Sequence, residues 1–383
     1  MTHSTATTPR NCWIEISKSA LHNNLVAFKQ LLQPNQQLLC VVKANAYGHD
    51  AQMIAEAAME FGADWLGVFQ VEEGVLLRKA GLRAPILVLG PSFGEQFQIA
   101  AKYELQLTIP SLESINNYTS NLPSTNVPIH LKLETGTNRQ GIRFEELEDV
   151  SKIILSNQLS VQGAYTHYAD IEDTTDHDFA TSQRLQFENS IEKLNSLGIN
   201  IPFPHTACTA ATILFPKTYF QLVRVGIGMY GLWPSKETNV SAHTLGRAQI
   251  ELQPVMQWKT RITQIKQVPA GEFVGYGRTF RTTRKTTLAI VPVGYADGYS
   301  RRFSNAANTL VRGTRARVVG RVCMNLSMID VTDVPGAQEG DVVTLLGTDG
   351  DETVSAEQLA TLADTINYEI VTRAAPGAPR IWV

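Results

Sequence analysis

Cysteine is scarce. Cys12, Cys40, Cys208 and Cys323 lie far apart and form no paired ligand spacing, so no disulfide framework and no metal site is expected. No apolar run is long enough to span a bilayer. The opening MTHSTATTPRN lacks the basic, apolar and small-residue segments of a signal peptide. A reduced, cytoplasmic protein with free thiols and no membrane partner is the expectation. An excess of one charge is missing too. The net charge of −3 gives no electrostatic reason to expect nucleic acid. The densest basic cluster, RTFRTTRK around Arg281, is too short for a nucleic-acid footprint.

What is present is an ordinary globular composition, 43% hydrophobic and 18% charged over 383 residues, enough for one large domain and a smaller one. As far as about Arg224, short apolar runs alternate with helical patterns. The runs are LLCVV (38–42), WLGVF (65–69), ILVL (86–89), LQLTI (105–109), IHLKL (129–133), VQGAYTH (161–167), IPFPH (201–205) and FQLVRV (220–225). Helices are expected between them, for example over 114–122 and 178–198. In the latter, Phe179, Leu185, Phe187, Ile191 and Leu194 mark the apolar face. Eight strand–helix repeats predict a parallel (β/α)8 TIM-like barrel rather than an open doubly wound sheet. After about Gly246 the texture becomes strand runs broken by Pro, Gly and Asp, closed by one helix over 356–370. The expected domains are a barrel at 12–246 and a mainly β domain at 247–383, with residues 1–16 a candidate to pack with the latter.

Barrels carry their chemistry at the C-terminal ends of strands. Lys43, in VVKANAYGHD, stands at such an end, followed by a tight loop holding Tyr47, with Asp50 as N-cap and Gly62 as C-terminal stop of the next helix. A lysine there is either a surface residue or, partly desolvated, a nucleophile for carbonyl chemistry. After the eighth strand, FQLVRVGIGMYG supplies Arg224, Gly226 and Gly228, and HTACTAA adds the Thr209 hydroxyl. Glycines let backbone N–H groups approach an anion, and barrels bind phosphate near strands seven and eight. A reactive lysine opposite a phosphate cradle describes a cofactor with an aldehyde and a phosphate, as in pyridoxal 5′-phosphate.

VVKANAYGH (41–49), KLETGTNRQG (132–141), YTHYA (165–169), LVRVGIGMYG (222–231), VGYGRTF (274–280), PVGYADGYSR (292–301) and GRVCMN (320–325) occur in an order that resembles bacterial alanine racemases over nearly the whole chain. The resemblance implies that Lys43 holds pyridoxal 5′-phosphate covalently, and that Tyr47, Thr209, Gly226 and Ile227 contact its phosphate. Arg224 would face the pyridine nitrogen and, remaining protonated, leave that nitrogen unprotonated. Lys43 and Tyr276 would be two bases on opposite faces of the substrate, with His167 bonded to Tyr276 and Arg224 bonded to His167. Arg139 and the Met324 backbone would hold the substrate carboxylate, Tyr295 would line the access path, and Lys132 is a possible site of carbamylation. A head-to-tail homodimer with shared active sites, and supply of D-alanine for peptidoglycan, are implied by the same likeness.

Several positions depart from the commoner family pattern. Asp50 replaces a glycine, Thr137-Asn138 replace Met-Gly, Thr209 replaces a serine, Asn325 replaces an aspartate, and Pro376 stands where some members carry a phosphate-binding tyrosine. Racemisation of alanine is thus set beside a broader-specificity or serine racemase of the same fold. A non-catalytic cofactor-binding barrel would have no β domain and no Tyr276. A decarboxylase of this barrel type would have an acidic group in place of Arg224. A Schiff-base aldolase leaves Gly226, Arg224 and Tyr276 without a role.

Overall fold

The computed structural model describes residues 11–121, 127–247 and 249–383. Residues 1–10 of the segment expected beside the β domain, and Leu122 of the helix expected over 114–122, lie outside them. The chain divides into two compact units. One is Ser19–Gln253, and the other joins the described residues 11–18 to Pro254–Val383.

The first unit is an eight-stranded parallel sheet. Its order is Phe203–His205, Val161–Tyr165, Ile129–Lys132, Gln106–Ile109, Ile86–Val88, Trp65–Val68, Gln37–Val41 and Leu222–Val225. The two end strands are joined by Gln221 N–H to Pro204 O (3.2 Å) and Arg224 N–H to Ala207 O (3.0 Å), which closes the barrel. The strands read as short, nearly continuous apolar runs because a parallel sheet is covered on both faces. Leu39, Val41, Trp65, Leu87 and Leu222 form one buried cluster, with Tyr47, Leu89 and Phe203 packed against it.

The helix Asp178–Ser196 corrects one expectation. Phe179 and Leu185 are exposed (46% and 48%), and the buried face is Ala180, Gln183, Phe187, Ser190 and Leu194. That set keeps the three–four spacing of a helix, whereas picking the largest apolar residues misses its phase. Asp50 caps the helix Ala51–Glu60 as expected, accepting from Met53 N–H at 3.0 Å.

In the second unit, Cys12–Ile16 pairs antiparallel with Met256–Arg261 and parallel with Arg380–Trp382, so the first described strand belongs to this sheet. The sheet continues through Val342–Asp349, Asn308–Val311, Thr314–Val318, Ser327–Asp330, Thr286–Val291 and Gln264–Val268. The single helix expected over 356–370 is two, Ala356–Ala363 and Asn367–Arg373. They are separated at Asp364, whose left-handed backbone (φ 58°, ψ 54°) stops the first. Among the described residues, no helix is long and apolar enough to cross a membrane.

Candidate active site

Lys43 follows the strand Gln37–Val41, and the residues after it form a turn of unusual hand. Ala44, Asn45 and Ala46 have φ/ψ of 52°/49°, 53°/47° and 53°/52°, and Tyr47 has φ 53°. For residues with a Cβ this left-handed geometry costs about 1–2 kcal/mol each, so the surroundings must enforce it. Ala46 N–H donates to Val42 O (2.9 Å), Ala51 N–H to Asn45 Oδ1 (2.8 Å), and Ala44 N–H to Glu73 Oε1 (2.7 Å). The His49 ring, stacked on Tyr230, donates from Nδ1 to the Ala46 and Tyr47 carbonyls, both at 3.0 Å.

Around Lys43 the barrel mouth gathers cations. Lys132 ends the strand Ile129–Lys132, Arg139 lies in the loop beyond, and Arg224 sits on the strand Leu222–Val225. Burial and then Arg139 lower the pKa of Lys43, while Glu73 opposes them. Burial, Arg139, Arg224 and Lys43 bring Lys132 down to about 8, against Glu134. Lys132 Nζ and the Arg224 guanidinium both stand over the Tyr165 ring, 5.2 and 5.1 Å from its centre. Burial and then Arg224, Lys132, Arg139 and Lys43 hold the His167 imidazole well below its ordinary range, so it is neutral.

Arg224 corrects the expected relay. Its guanidinium donates to His205 Nδ1 (2.8 Å) and to the carbonyls of His205, Thr166 and Thr206 (3.0, 2.8 and 3.0 Å), rather than to the His167 ring. Arginine only donates, so His205 Nδ1 is the acceptor and its proton resides on Nε2. That nitrogen lies 3.0 Å from His130 Nδ1, and His130 Nε2 lies 2.9 Å from Gln106 Oε1, giving a one-way chain of neutral rings. His130 and His205 are fully buried. Burial and then Arg224 lower both pKa values, that of His130 to about 3.

Of the phosphate candidates, Tyr47, Thr209 and Gly226 come together. Thr209 Oγ1 accepts from Gly226 N–H (3.0 Å) and Gly228 N–H (3.4 Å). A Cβ on Gly226 would stand 2.6 Å from the Tyr47 hydroxyl, and one on Gly228 would stand 2.5 Å from Thr209 Cγ2. Only glycine leaves room at these two places. Two hydroxyls and the backbone N–H groups of Gly226 and Gly228 form a donor set that suits an anionic phosphate, and a lysine with a lowered pKa suits an aldehyde. The residues fit pyridoxal 5′-phosphate.

Thr137, one of the departures from the family pattern, donates to His167 O at 2.5 Å, and Thr135 meets Thr166 hydroxyl to hydroxyl at 2.7 Å. Together with Gln183, whose Nε2 donates to Thr135 Oγ1 and His167 O (both 3.3 Å), they stitch the Arg139 loop to the end of the strand Val161–Tyr165.

Tyr276, Tyr295 and Met324 belong to the second unit and are 71%, 44% and 56% exposed. Tyr295 N–H donates to Cys323 O (3.0 Å) and Ala296 N–H to Met324 O (2.9 Å), which brings Tyr295 and Met324 together. The turn Gly275–Gly277 that presents Tyr276 packs on Gly320 and Arg321 of the same stretch.

Sequence reasoning missed His205, Gln183 and Glu73. His205 ends a predicted strand and opens the HTACTAA stretch, a visible signal. Gln183 falls on the buried phase of its helix, which counting at three–four spacing recovers. Glu73 reads only as a helix-start glutamate.

The family description "Alanine racemase, N-terminal domain" matches residues 16–234, and "Alanine racemase, C-terminal domain" matches 255–382. A curated alanine racemase of Leptospira interrogans is 39% identical over 378 residues, 97% of this chain and 95% of that protein. That of Halothermothrix orenii is 40% identical over 374 residues, 97% and 96% of the two. The crystal structure of alanine racemase from Bacillus anthracis with bound L-Ala-P superposes with a TM-score of 0.92 at 36% identity, covering 99% of this chain and 96% of the other. That from Bartonella henselae with covalently bound pyridoxal phosphate gives 0.84 at 27%, covering 98% and 100%.

Proposed function

The chain belongs to the alanine racemase family, and from that premise we propose that Lys43 and Tyr276 are the two bases of its reaction. The protein is a pyridoxal 5′-phosphate-dependent isomerase that interconverts L- and D-alanine. A cytoplasmic location and supply of D-alanine for peptidoglycan are part of this reading.

Lys43 would hold the cofactor covalently, Tyr47, Thr209, Gly226 and Ile227 its phosphate, and Arg224 its ring nitrogen. When bound, the cofactor supplies withdrawal of electron density from the substrate Cα. Everything else falls to the side chains of this protein. Arg224 would donate to the ring nitrogen rather than protonate it, which would restrain the withdrawal and limit side reactions. Arg139 and the Met324 backbone bind the carboxylate of alanine and fix which faces of Cα are presented. The Lys43 amine, its pKa lowered by burial and Arg139, takes a proton from one face. Tyr276 takes or returns the proton at the other, so a proton lost to one base and gained from the other inverts the centre. His167 would hydrogen-bond the Tyr276 hydroxyl and the adjoining cations would favour its phenolate.

Because Tyr276, Tyr295 and Met324 are exposed in the isolated chain, the reading includes a head-to-tail homodimer in which a second copy supplies them. Lys132, with a pKa near 8, has the free amine fraction that carbamylation requires, and the resulting anion would steady Arg139.

The observation that carries this reading is the barrel mouth itself. There Lys43 stands among cations, and the hydroxyls of Tyr47 and Thr209 meet a glycine that tolerates no side chain. The test is conversion of L-alanine, L-serine and L-lysine followed by chiral chromatography. D-alanine should form fastest, and comparable D-serine would mark a broader pocket. Tyr276→Phe should keep the yellow cofactor and lose about 10²–10⁴-fold in rate. Unchanged turnover would remove Tyr276 from the mechanism.

A further inference from the structure

We propose that Glu73 is a positioning residue for Lys43. Its carboxylate staples the left-handed turn after the strand Gln37–Val41 to the turn after the neighbouring strand Trp65–Val68, and so fixes where the Lys43 amine stands. The proposal rests on the reading of Lys43 as the reactive amine.

The two carboxylate oxygens divide the work. Oε2 accepts from Phe69 N–H (2.7 Å) and Gln70 N–H (3.1 Å) at the start of the helix Val71–Lys79, as a glutamate in a first helical turn ordinarily does. Oε1 accepts from Ala44 N–H at 2.7 Å, on another strand's loop and one peptide beyond Lys43. A helix cap has no need of that second bond. The turn does need it, because Ala44 opens a run of four non-glycine residues at φ near +53°, a conformation that persists only where surroundings over-determine it. The bonds from Ala46, His49 and Asn45 lie within 42–51 and set the turn's own shape. Glu73 ties that shape to the sheet. A carboxylate is suited to this because both oxygens accept, whereas a glutamine would aim an N–H₂ at one of the two sets of N–H donors.

Charge acts in the same direction. The charged and titratable groups acting around Lys43 are Arg139, Lys132, His167 and Glu73, and Glu73 is the group that raises its pKa. Removing that carboxylate should shift the acid limb of the kcat–pH profile to lower pH, an effect a helix cap would not have.

The experiment uses the holoenzymes of wild type, Glu73→Gln and Glu73→Gln/Ala44→Gly. Borohydride reduction and peptide mass first locate the cofactor adduct; an adduct away from Lys43 would overturn the reading of Lys43 itself, independently of any result on Glu73. For Glu73→Gln, amide hydrogen exchange over 43–49 should quicken, cofactor content should hold, and kcat should fall by on the order of 10- to 100-fold with KM nearly unchanged. Glycine adopts the φ of residue 44 without strain, so Ala44→Gly should restore about two- to fivefold of the lost kcat. Wild-type exchange over 43–49 with an unmoved pH profile, or a double variant no better than the single, would overturn the proposal. Should Glu73→Gln not fold, Glu73→Asp, one methylene shorter, can cap the helix without reaching Ala44; it keeps the charge, so quickened exchange over 43–49 with a lowered kcat supports the proposal, and wild-type exchange and kcat overturn it.

Discussion

Lys132 is 7% exposed and holds a charge among charges of its own sign. Its pKa is about 8 in the folded protein and 10.5 in an ordinary setting. Below pH 8 both states are protonated and the folded one bears the full cost of the buried ammonium. Between about 8 and 10.5 the folded state binds fewer protons than the unfolded, so this group's cost shrinks as pH rises. Lys132→Met in carbonate-free buffer should therefore stabilise the fold by about 2–3 kcal/mol at pH 7 and by little near pH 10.5. Urea unfolding at the two pH values measures both. An equal gain at both would mean that charge is not the cause. At this scale the sequence was informative about residue type and chain position, since Lys43, Lys132, Arg139, Thr209 and Arg224 all stand at or beyond barrel strand ends. It was uninformative about partners: Arg224 was expected on His167 and bonds His205.

The chain from Arg224 through His205 and His130 to Gln106 is a property of strands, four side chains from four barrel strands, with His205 and His130 meeting across the intervening strand Val161–Tyr165. Nothing in the periodicity of one strand reports on its neighbours' register, which is why the chain was not foreseen. Its two rings are neutral when folded, His130 down to about 3 and His205 well below 6.5. As pH falls below 6.5 the unfolded chain takes up protons that the folded barrel refuses, so stability is lost on acidification through that window. The barrel's unfolding free energy should drop between pH 6.5 and 5, and His130→Gln should flatten the slope by about 1.4 kcal/mol per pH unit. Circular dichroism in urea at stepped pH checks this, and an unchanged slope in the variant would show that His130 titrates normally. The left-handed turn at 44–47 is likewise an element-scale fact: its alanines and asparagine carry no glycine signal, and only the surrounding bonds hold it.

For the whole molecule, a shared active site makes a prediction that no single-chain property does. Lys43→Ala and Tyr276→Phe are each expected to be inactive. Mixed, unfolded and reassembled together, a head-to-tail dimer puts both lesions in one site of each hybrid and leaves the other site intact. Random pairing then restores about one quarter of wild-type activity. Recovery near zero, with dimers present by sedimentation, would mean that each site draws both residues from one chain.

The alternation of eight apolar runs with helical patterns, the change of texture near Gly246 and the ordered motifs were all readable in the residues, because strand period, turn chemistry and reactive side chains are local properties of the chain. The phase of the helix Asp178–Ser196, the break at Asp364, the partner of Arg224 and the grip of Glu73 on Ala44 were decided only by the tertiary structure. Each depends on which segments, distant in sequence, are brought within hydrogen-bonding or packing distance, and that is settled by the closing of the sheet rather than by any one stretch of it.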